Sequence, residues 1–131
     1  MFDFRKFADV ADNLSKQSGD EYNRSAISRY YYSIFCCTRL YLIFVMNEDE
    51  FLKNNNIHSR VCNRLMQSND LTEHALGKIL DKLRENRNLA DYDWSDENSS
   101  FFKQNVEYIR NESKAGLQQI ESLRNSPPFR V

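Results

Sequence analysis

The residues best suited to chemistry lie in the segment LRENRNLADYDW, which runs from Leu83 to Trp94. Arg87 continues a stripe of apolar residues at helical spacing, formed by Leu76, Ile79, Leu80 and Leu83. A guanidinium stays charged and carries five donors, so on an inner helix face it requires a carboxylate or phosphate partner. Asp91 lies four residues further along on the same face and can form an ion pair within the helix. The segment therefore leaves two alternatives open, a structural ion pair or a site for an anionic ligand.

A second polar set interrupts the most apolar part of the chain. Arg24 and Ser28 are four residues apart, as are Ser25 and Arg29, and three tyrosines follow at Tyr30–Tyr32. On a helix, residues four apart share a face. These side chains either solvate the surface beside an aromatic core or contribute contacts to a phosphate.

The histidines and cysteines do not form a metal-binding pattern. His58 and His74 are the two histidines of the chain, and the three cysteines are Cys36, Cys37 and Cys62. Their spacing matches neither a zinc site nor a disulfide framework. We therefore predict no metal and no cofactor, and we expect the cysteines to be reduced.

Composition favours a helical protein without a general affinity for polyanions. The 131 residues include three glycines and two prolines, and the net charge is −1. Because this charge creates no overall positive field, any nucleic-acid site must be local. The N-terminal stretch MFDFRKFADV lacks the apolar run of a signal peptide, so we expect a cytoplasmic protein.

Periodicity predicts one all-α domain over residues 1–126, followed by a short tail at 127–131. The domain is expected to be a bundle of four longer helices and one short helix. The first helix presents an apolar face at intervals of three and four residues, formed by Phe4, Phe7, Val10 and Leu14.

The second helix is predicted to be the central one. Ser18 and Glu21 fit a capping box, which starts this helix near Gly19 or Asp20. It is apolar on almost every side until about Asn47, so other helices must surround it. Apolar surface in excess of what its neighbours cover suits a second subunit, and we predict a homodimer.

The most apolar part of this helix, from Tyr30 to Met46, is not predicted to cross a membrane. It is shorter than the ~20 apolar residues that a span requires. It also contains Arg39, whose charge would cost roughly 3 kcal/mol at the centre of a bilayer. No membrane association is therefore expected.

Three further helices complete the bundle. The third is short and buries Ile57, Val61 and Leu65, and the fourth begins at Leu71 and carries the stripe that reaches Arg87 and then Ala90. The polar break DWSDENSS separates it from a long fifth helix, whose apolar face consists of Phe102, Val106, Ile109, Leu117, Ile120 and Leu123.

Three segments together resemble the HEPN domain, a helical family named for nucleotide binding in higher eukaryotes and prokaryotes. They are RSAISRYYYSIF at Arg24–Phe35, IHSRV at Ile57–Val61 and LRENRNLADYD at Leu83–Asp93. The resemblance extends over most of the chain, in the family's order. It implies a compact HEPN-like helical bundle that forms a symmetric homodimer and brings the arginine-bearing helix of each subunit to a shared cleft.

Many members of that family are metal-independent ribonucleases of toxin–antitoxin or antiphage systems, often with an antitoxin as partner. Their motif is an arginine, usually followed by a polar residue, and then a histidine after four to six positions. Arg87 and Asn88 match its first half, whereas Tyr92 stands in place of the histidine. A tyrosine, with a pKa of about 10, is a poor general base at neutral pH, although it can donate a proton or a hydrogen bond.

Two hypotheses follow from the resemblance. In the first, the protein is an RNA-directed member of a toxin–antitoxin or antiphage defence system, with metal-independent endoribonuclease activity as one outcome. Its catalytic candidates are Arg87, Tyr92 and Asn88, and its candidates for binding RNA or a nucleotide are Arg84, Arg29, Arg60, His58 and Asp91. In the second, the protein is a catalytically inactive interaction or regulatory subunit in which Arg87 and Asp91 form a structural pair.

Overall fold

A computed structural model describes residues 1–125, and within them it contains five α-helices and no strand. The predicted all-α class is confirmed, whereas the predicted tail at 127–131 lies outside the described residues. The first and third helices each have ten residues, so two short helices accompany three long ones, instead of the predicted one and four. The helices are α1 Lys6–Ser15, α2 Asp20–Leu40, α3 Ile57–Met66, α4 Leu71–Tyr92 and α5 Ser99–Asn125.

Helix α2 is the central element, as predicted. It packs against α1, α4 and α5, and the consecutive residues Ser33, Ile34 and Phe35, which point to different sides of the helix, are all buried. It continues into a π-helical turn at Tyr41–Val45, so the helical path ends close to the predicted Asn47. A 3₁₀ turn at Asp49–Leu52 then leads to α3.

The start of α2 was placed correctly, but the predicted capping box is wrong. Gly19 occupies the N-cap with a φ of 135°, and no side chain caps the helix. This backbone conformation suits glycine alone, because a β-carbon there would be strained. The Glu21 carboxylate folds over Gly19 and would collide with such a β-carbon. Glycine therefore replaces Ser18 as the residue that begins the helix.

The predicted inner face of α1 is partly wrong. Val10 is exposed, whereas Ala8 and Ala11 are buried against the rest of the bundle. Small side chains allow the α1 backbone to approach its neighbours closely. The buried face of α1 is therefore centred on Ala8 and Ala11, one residue beyond the predicted positions Phe7 and Val10.

The inner faces of the last three helices follow the predicted spacing. The stripe of α4 is buried at Leu76, Leu80, Leu83, Arg87 and Ala90, and Ile79 is half-buried. The third helix buries its three predicted residues. On α5, the buried residues of the predicted face are Phe102, Ile109, Ile120 and Leu123, with Val106 and Leu117 half-buried.

The apolar segment Tyr30–Met46 lies within this bundle, where α2 and the π-helical turn bury most of its residues. Across residues 1–125, none of the helices combines the length and apolar character that crossing a bilayer requires.

A buried carboxylate joins the end of α2 to α3 and α4. Glu73 is completely buried and accepts hydrogen bonds from Tyr41 Oη and Ser68 Oγ, both at 2.6 Å, and from Arg64 Nη1 at 3.1 Å. Arg64 also pairs with Glu48. Burial acts to raise the pKa of Glu73, but the three hydrogen bonds outweigh it and lower the pKa to about 2.

Replacement of this carboxylate is expected to destabilise the protein in a pH-dependent manner. Glu73→Gln should reduce the free energy of unfolding at pH 7 by about 3 kcal/mol, because Arg64 would keep its charge without this partner. The folded pKa lies below the unfolded value of 4.5, so the advantage of the wild type is present above pH 4.5 and is lost as the pH falls toward 2. Urea unfolding across this range measures the difference.

Glu50→Gln provides a matched control, since Glu50 is exposed. It should leave the unfolding curve unchanged within about 0.5 kcal/mol. Equal curves for Glu73→Gln and Glu50→Gln would contradict the role assigned to Glu73.

Candidate functional site

The site is built where the N-terminal half of α2 meets the C-terminal half of α4. Arg24 on α2 donates from Nη1 to the carbonyls of Ala90 at 3.3 Å and Asp93 at 2.5 Å, and from Nη2 to that of Ser95 at 3.4 Å. Its Nε pairs with Asp20 at 2.7 Å. Since the last carbonyls of a helix have no partner within it, Arg24 supplies the cap for α4 and sets its position relative to α2.

Arg87, on the buried side of α4, has only a long ion pair with Asp91. Its side chain is 9% exposed, and the nearest carboxylate oxygen, Asp91 Oδ2, is 3.9 Å from Nη1. Its Nε has no hydrogen-bond partner within residues 1–125. The guanidinium carbon lies 5.1 Å from the centre of the Tyr31 ring and 5.4 Å from that of Tyr32. A buried charge with so few partners leaves donors available for an anion.

Asp91 is held from the side of α2. Ser28 Oγ donates to Asp91 Oδ2 at 3.3 Å, the same oxygen that faces Arg87. Arg24 and Ser28, which are four residues apart, therefore both contact the end of α4. These two members of the polar set noted in the sequence therefore position α4, rather than merely solvating the surface.

His58, at the start of α3, lies beside Tyr31 and close enough to Arg87 for the arginine charge to affect its pKa. Its ring stacks on Phe35 with centroids 4.1 Å apart, and Nδ1 lies 2.6 Å from Tyr31 Oη. Burial lowers the pKa of His58 to about 4, and the positive charges of Arg87, Arg84 and Arg39 add to this effect. The imidazole is therefore neutral at pH 7.

Tyr31 orients this histidine. Burial raises the pKa of the Tyr31 hydroxyl, and the nearby arginines offset only part of the increase, so the hydroxyl keeps its proton. Donation from this hydroxyl to Nδ1 leaves the imidazole hydrogen on Nε2, where it can serve as a further donor.

Arg84 completes the cluster on the α4 side. It is half-buried and donates from Nη1 to Ser59 Oγ at 3.3 Å, beside His58. We use the name Arg87 cluster for the set Arg84, Arg87, His58, Tyr31 and Tyr32. Two guanidiniums and a neutral imidazole are well suited to a phosphate group, whose oxygens accept several hydrogen bonds.

Two other predicted phosphate contacts have neighbours of their own. Arg29 lies over the rings of Phe7, at 4.8 Å, and Tyr32, at 5.0 Å, so it adjoins the cluster through Tyr32. Arg60 instead holds the turn before α3. Its guanidinium donates to the carbonyls of Glu50, Lys53 and Asn55.

The structure does not bring Asn88 and Tyr92 to the inner side of Arg87. Both are exposed, and Tyr92 lies five residues beyond Arg87, which corresponds to roughly 140° around the helix. The imidazole near Arg87 comes instead from His58 on α3, whose pKa responds to the Arg87 charge.

Some contributions to the site were not predicted from the sequence. Ser59 contributes through Arg84, and no local pattern marks it, whereas Tyr31 belongs to the tyrosine run Tyr30–Tyr32 but its contact with His58 was not predicted. Helical spacing from Arg24 through Ser28 to Tyr31 indicated a shared face, but not which helix that face meets. Within residues 1–125, no group of three or more His, Cys, Asp or Glu side chains is arranged to hold a metal ion.

Comparisons of the chain with models of known protein families, with curated proteins and with solved structures found no match. The family resemblance therefore stays a prediction that rests on the three sequence segments.

Removal of the Arg87 charge is expected to cost little stability. Arg87→Met should change the free energy of unfolding by no more than about 1 kcal/mol, because a similar apolar volume replaces a poorly paired charge. Arg24→Met, the matched control on the facing helix, should cost about 2 kcal/mol, since the end of α4 loses its cap. Thermal and urea unfolding compare the two variants. A larger loss for Arg87→Met than for Arg24→Met would show that Arg87 is mainly structural.

The neutral state of His58 gives a separate prediction. The folded pKa of about 4 lies below the value of 6.5 for an unperturbed histidine, so the unfolded chain binds more protons between these values. The wild type should therefore lose stability relative to His58→Gln as the pH falls from 6.5 to 4. NMR titration of the imidazole resonance that is absent from His58→Gln measures the pKa directly, and a midpoint at or above 6.5 would contradict the burial argument.

Proposed function

We propose that the protein is an RNA-directed, HEPN-like protein that binds a phosphate group of RNA or of a nucleotide at the Arg87 cluster. The observation that carries the proposal is a guanidinium more than nine-tenths buried, with no close carboxylate and an unpaired Nε. A role in a toxin–antitoxin or antiphage defence system follows from the resemblance to the HEPN family.

Phosphate explains the arrangement better than a structural ion pair does. An ion pair that stabilised the fold would have close, preferably bidentate geometry, as Arg64 and Glu48 have at 2.6 and 2.8 Å. In contrast, Arg87 Nη1 and Asp91 Oδ2 are 3.9 Å apart, although both residues belong to one helix. The same chain therefore makes tight arginine–carboxylate pairs elsewhere and leaves Arg87 without one.

The surroundings favour RNA or a nucleotide over an isolated phosphate ion. Tyr32 is half-buried, and its ring centre lies 5.4 Å from the guanidinium carbon of Arg87 and 5.0 Å from that of Arg29. Aromatic rings of this kind stack on nucleobases, and the adjacent arginines contact the backbone phosphates. A symmetric homodimer would place a second copy of the cluster across its cleft, and the facing guanidiniums would create a local positive field despite the net charge of −1 per chain.

Endoribonuclease activity is a second candidate function, favoured by one observation. His58 brings an imidazole beside Arg87, which supplies the chemical group that Tyr92 does not. The ribose 2′-hydroxyl would attack the phosphorus, the bond to the 5′-oxygen would break, and His58 would take the hydroxyl proton and return it to the leaving oxygen, while Arg87 stabilised the charge that develops on the phosphate. With a pKa of about 4, His58 is a weak base in the empty site, but the negative charge of a bound phosphodiester raises the pKa of a nearby imidazole.

The alternative of a catalytically inactive interaction or regulatory subunit remains a proposal of its own. It would use the contacts of Arg87 with Tyr31 and Tyr32, together with Ser28 and Asp91, as structural links between α2 and α4. On this hypothesis, loss of the charge would lower stability.

Binding should be tested first with inorganic phosphate, a nucleoside monophosphate and a single-stranded RNA oligonucleotide. The wild type should bind the RNA and gain thermal stability from it, and Arg87→Met should weaken binding at least about tenfold, as expected when a charged hydrogen-bonding group is lost. Tyr92→Phe, on the outer side of α4, should bind normally. Unchanged RNA binding by Arg87→Met would overturn the proposal.

Cleavage should then be tested with a mixed cellular RNA pool and no added metal. For a ribonuclease, both Arg87→Met and His58→Gln should abolish cutting, whereas Tyr92→Phe should retain it. Loss of cutting in Tyr92→Phe instead would return the acid–base role to Tyr92. Binding without cutting by the wild type would support the non-catalytic form of the proposal.

A further inference from the structure

A second surface lies on the opposite side of α4 and is independent of the Arg87 cluster. Three large apolar side chains are exposed there, with Leu89 at 41%, Tyr92 at 73% and Trp94 at 94%. They border a shallow cleft of about 500 Å³, lined by Glu85, Asn88, Leu89, Tyr92, Asp93 and Trp94. We call this surface the Trp94 patch. Adjacent exposed aromatic residues of this kind commonly mark an interaction site.

The backbone that carries the patch is held firmly. Arg24 donates to carbonyls on both sides of Tyr92 and Trp94, those of Ala90, Asp93 and Ser95. The Asp93 carboxylate accepts from the Ser95 amide at 3.0 Å and from Asn98 Nδ2 at 2.5 Å. The backbone that carries Trp94 is therefore fixed before binding, which lowers the entropic cost of forming a complex.

The charged residues that line the cleft have one sign, since Glu85 and Asp93 are both carboxylates. Between positions 85 and 97 the chain carries five carboxylates, and its single cation in that range, Arg87, is buried on the inner side of the helix. Four of the carboxylates form no ion pair with any residue of the described part of the chain, namely Glu85, Asp93, Asp96 and Glu97, although Asp93 accepts the two hydrogen bonds described above. The Trp94 patch is thus an apolar centre with an acidic, largely unpaired rim.

We propose that the Trp94 patch docks a basic segment of another protein, in which an apolar side chain is flanked by arginine or lysine. The apolar side chain would cover Leu89 and enter the cleft beside Tyr92. The cations would contact the carboxylate rim and the faces of the two aromatic rings, which attract guanidinium and ammonium groups.

The same charges disfavour the other occupants. RNA would bring its phosphates against unpaired carboxylates, although the aromatic rings alone would suit its bases. A second copy of the chain, docked through the same patch about a two-fold axis, would place two acidic rims opposite each other. A homodimer is therefore expected to use a different face, and the patch stays available to a partner.

The chain contains one tryptophan, so its fluorescence reports directly on the patch. The probes are a short peptide of alternating leucine and arginine, the same peptide with glutamate in place of arginine, and a single-stranded RNA oligonucleotide. The arginine peptide should shift and quench the Trp94 emission, with an affinity that falls as salt is added. The glutamate peptide and the RNA should leave the emission unchanged.

Variants separate this patch from non-specific attraction. Glu85→Lys and Tyr92→Ala keep the fluorescent reporter and should each weaken the arginine peptide about tenfold, which corresponds to about 1.4 kcal/mol. Asp9→Lys on α1 and Leu71→Ala at the start of α4 replace an exposed charge and an exposed apolar residue elsewhere, and should bind as the wild type does. Arg87→Met should also bind the peptide normally, which separates this proposal from the proposed RNA site.

Three results would overturn the inference. The first is quenching of Trp94 by RNA, which would assign the patch to nucleic acid. The second is an emission shift that depends on protein concentration alone and accompanies dimer formation in sedimentation analysis, which would assign it to a second copy. The third is equal affinity for the arginine peptide in Glu85→Lys and the wild type.

Discussion

The contact between Arg24 and the backbone carbonyls at the end of α4 and just after it is the interaction on which the rest of the site depends. An arginine on the central helix both caps α4 and fixes the direction in which the chain leaves it. One rigid constraint therefore sets two surfaces. On the inner side it holds Arg87 against the tyrosines of α2, and on the outer side it presents Tyr92 and Trp94 to solvent.

The inner surface shows a conflict between stability and chemistry. Burial of a charge disfavours the fold unless close partners compensate, and the chain achieves such compensation around Glu73, whose carboxylate accepts three hydrogen bonds, one of them from the Arg64 guanidinium. It does not do so around Arg87. Groups that are buried and incompletely paired are concentrated at functional sites, because their unused donors are the ones available to a ligand. The contrast between the two arginines within a single small bundle is the physical basis for the function proposed for Arg87.

Arg87 lies on α4, and the imidazole near it comes from another helix, since His58 lies at the start of α3. It is kept neutral by burial and by three positive charges, and Tyr31 orients it. Two of those charges, Arg87 and Arg84, belong to the Arg87 cluster, so a phosphate bound there, as proposed, would be coupled electrostatically to the protonation of His58.

Much of the architecture was determined by the sequence alone. The scarcity of glycine and proline, the spacing of apolar residues and the position of Arg87 within a stripe predicted the all-α class, the central α2 and the inner-facing arginine, since helical periodicity is a local property. Tertiary structure decided what local spacing cannot contain. Gly19, rather than a capping box at Ser18, begins α2, and Val10 is exposed instead of buried. Tyr92 lies on a different side of α4 from Arg87. These outcomes depend on which helices pack together. The pairing of His58 with Tyr31, and the opposite characters of the two sides of α4, likewise arise only when helices distant in the chain are brought into contact.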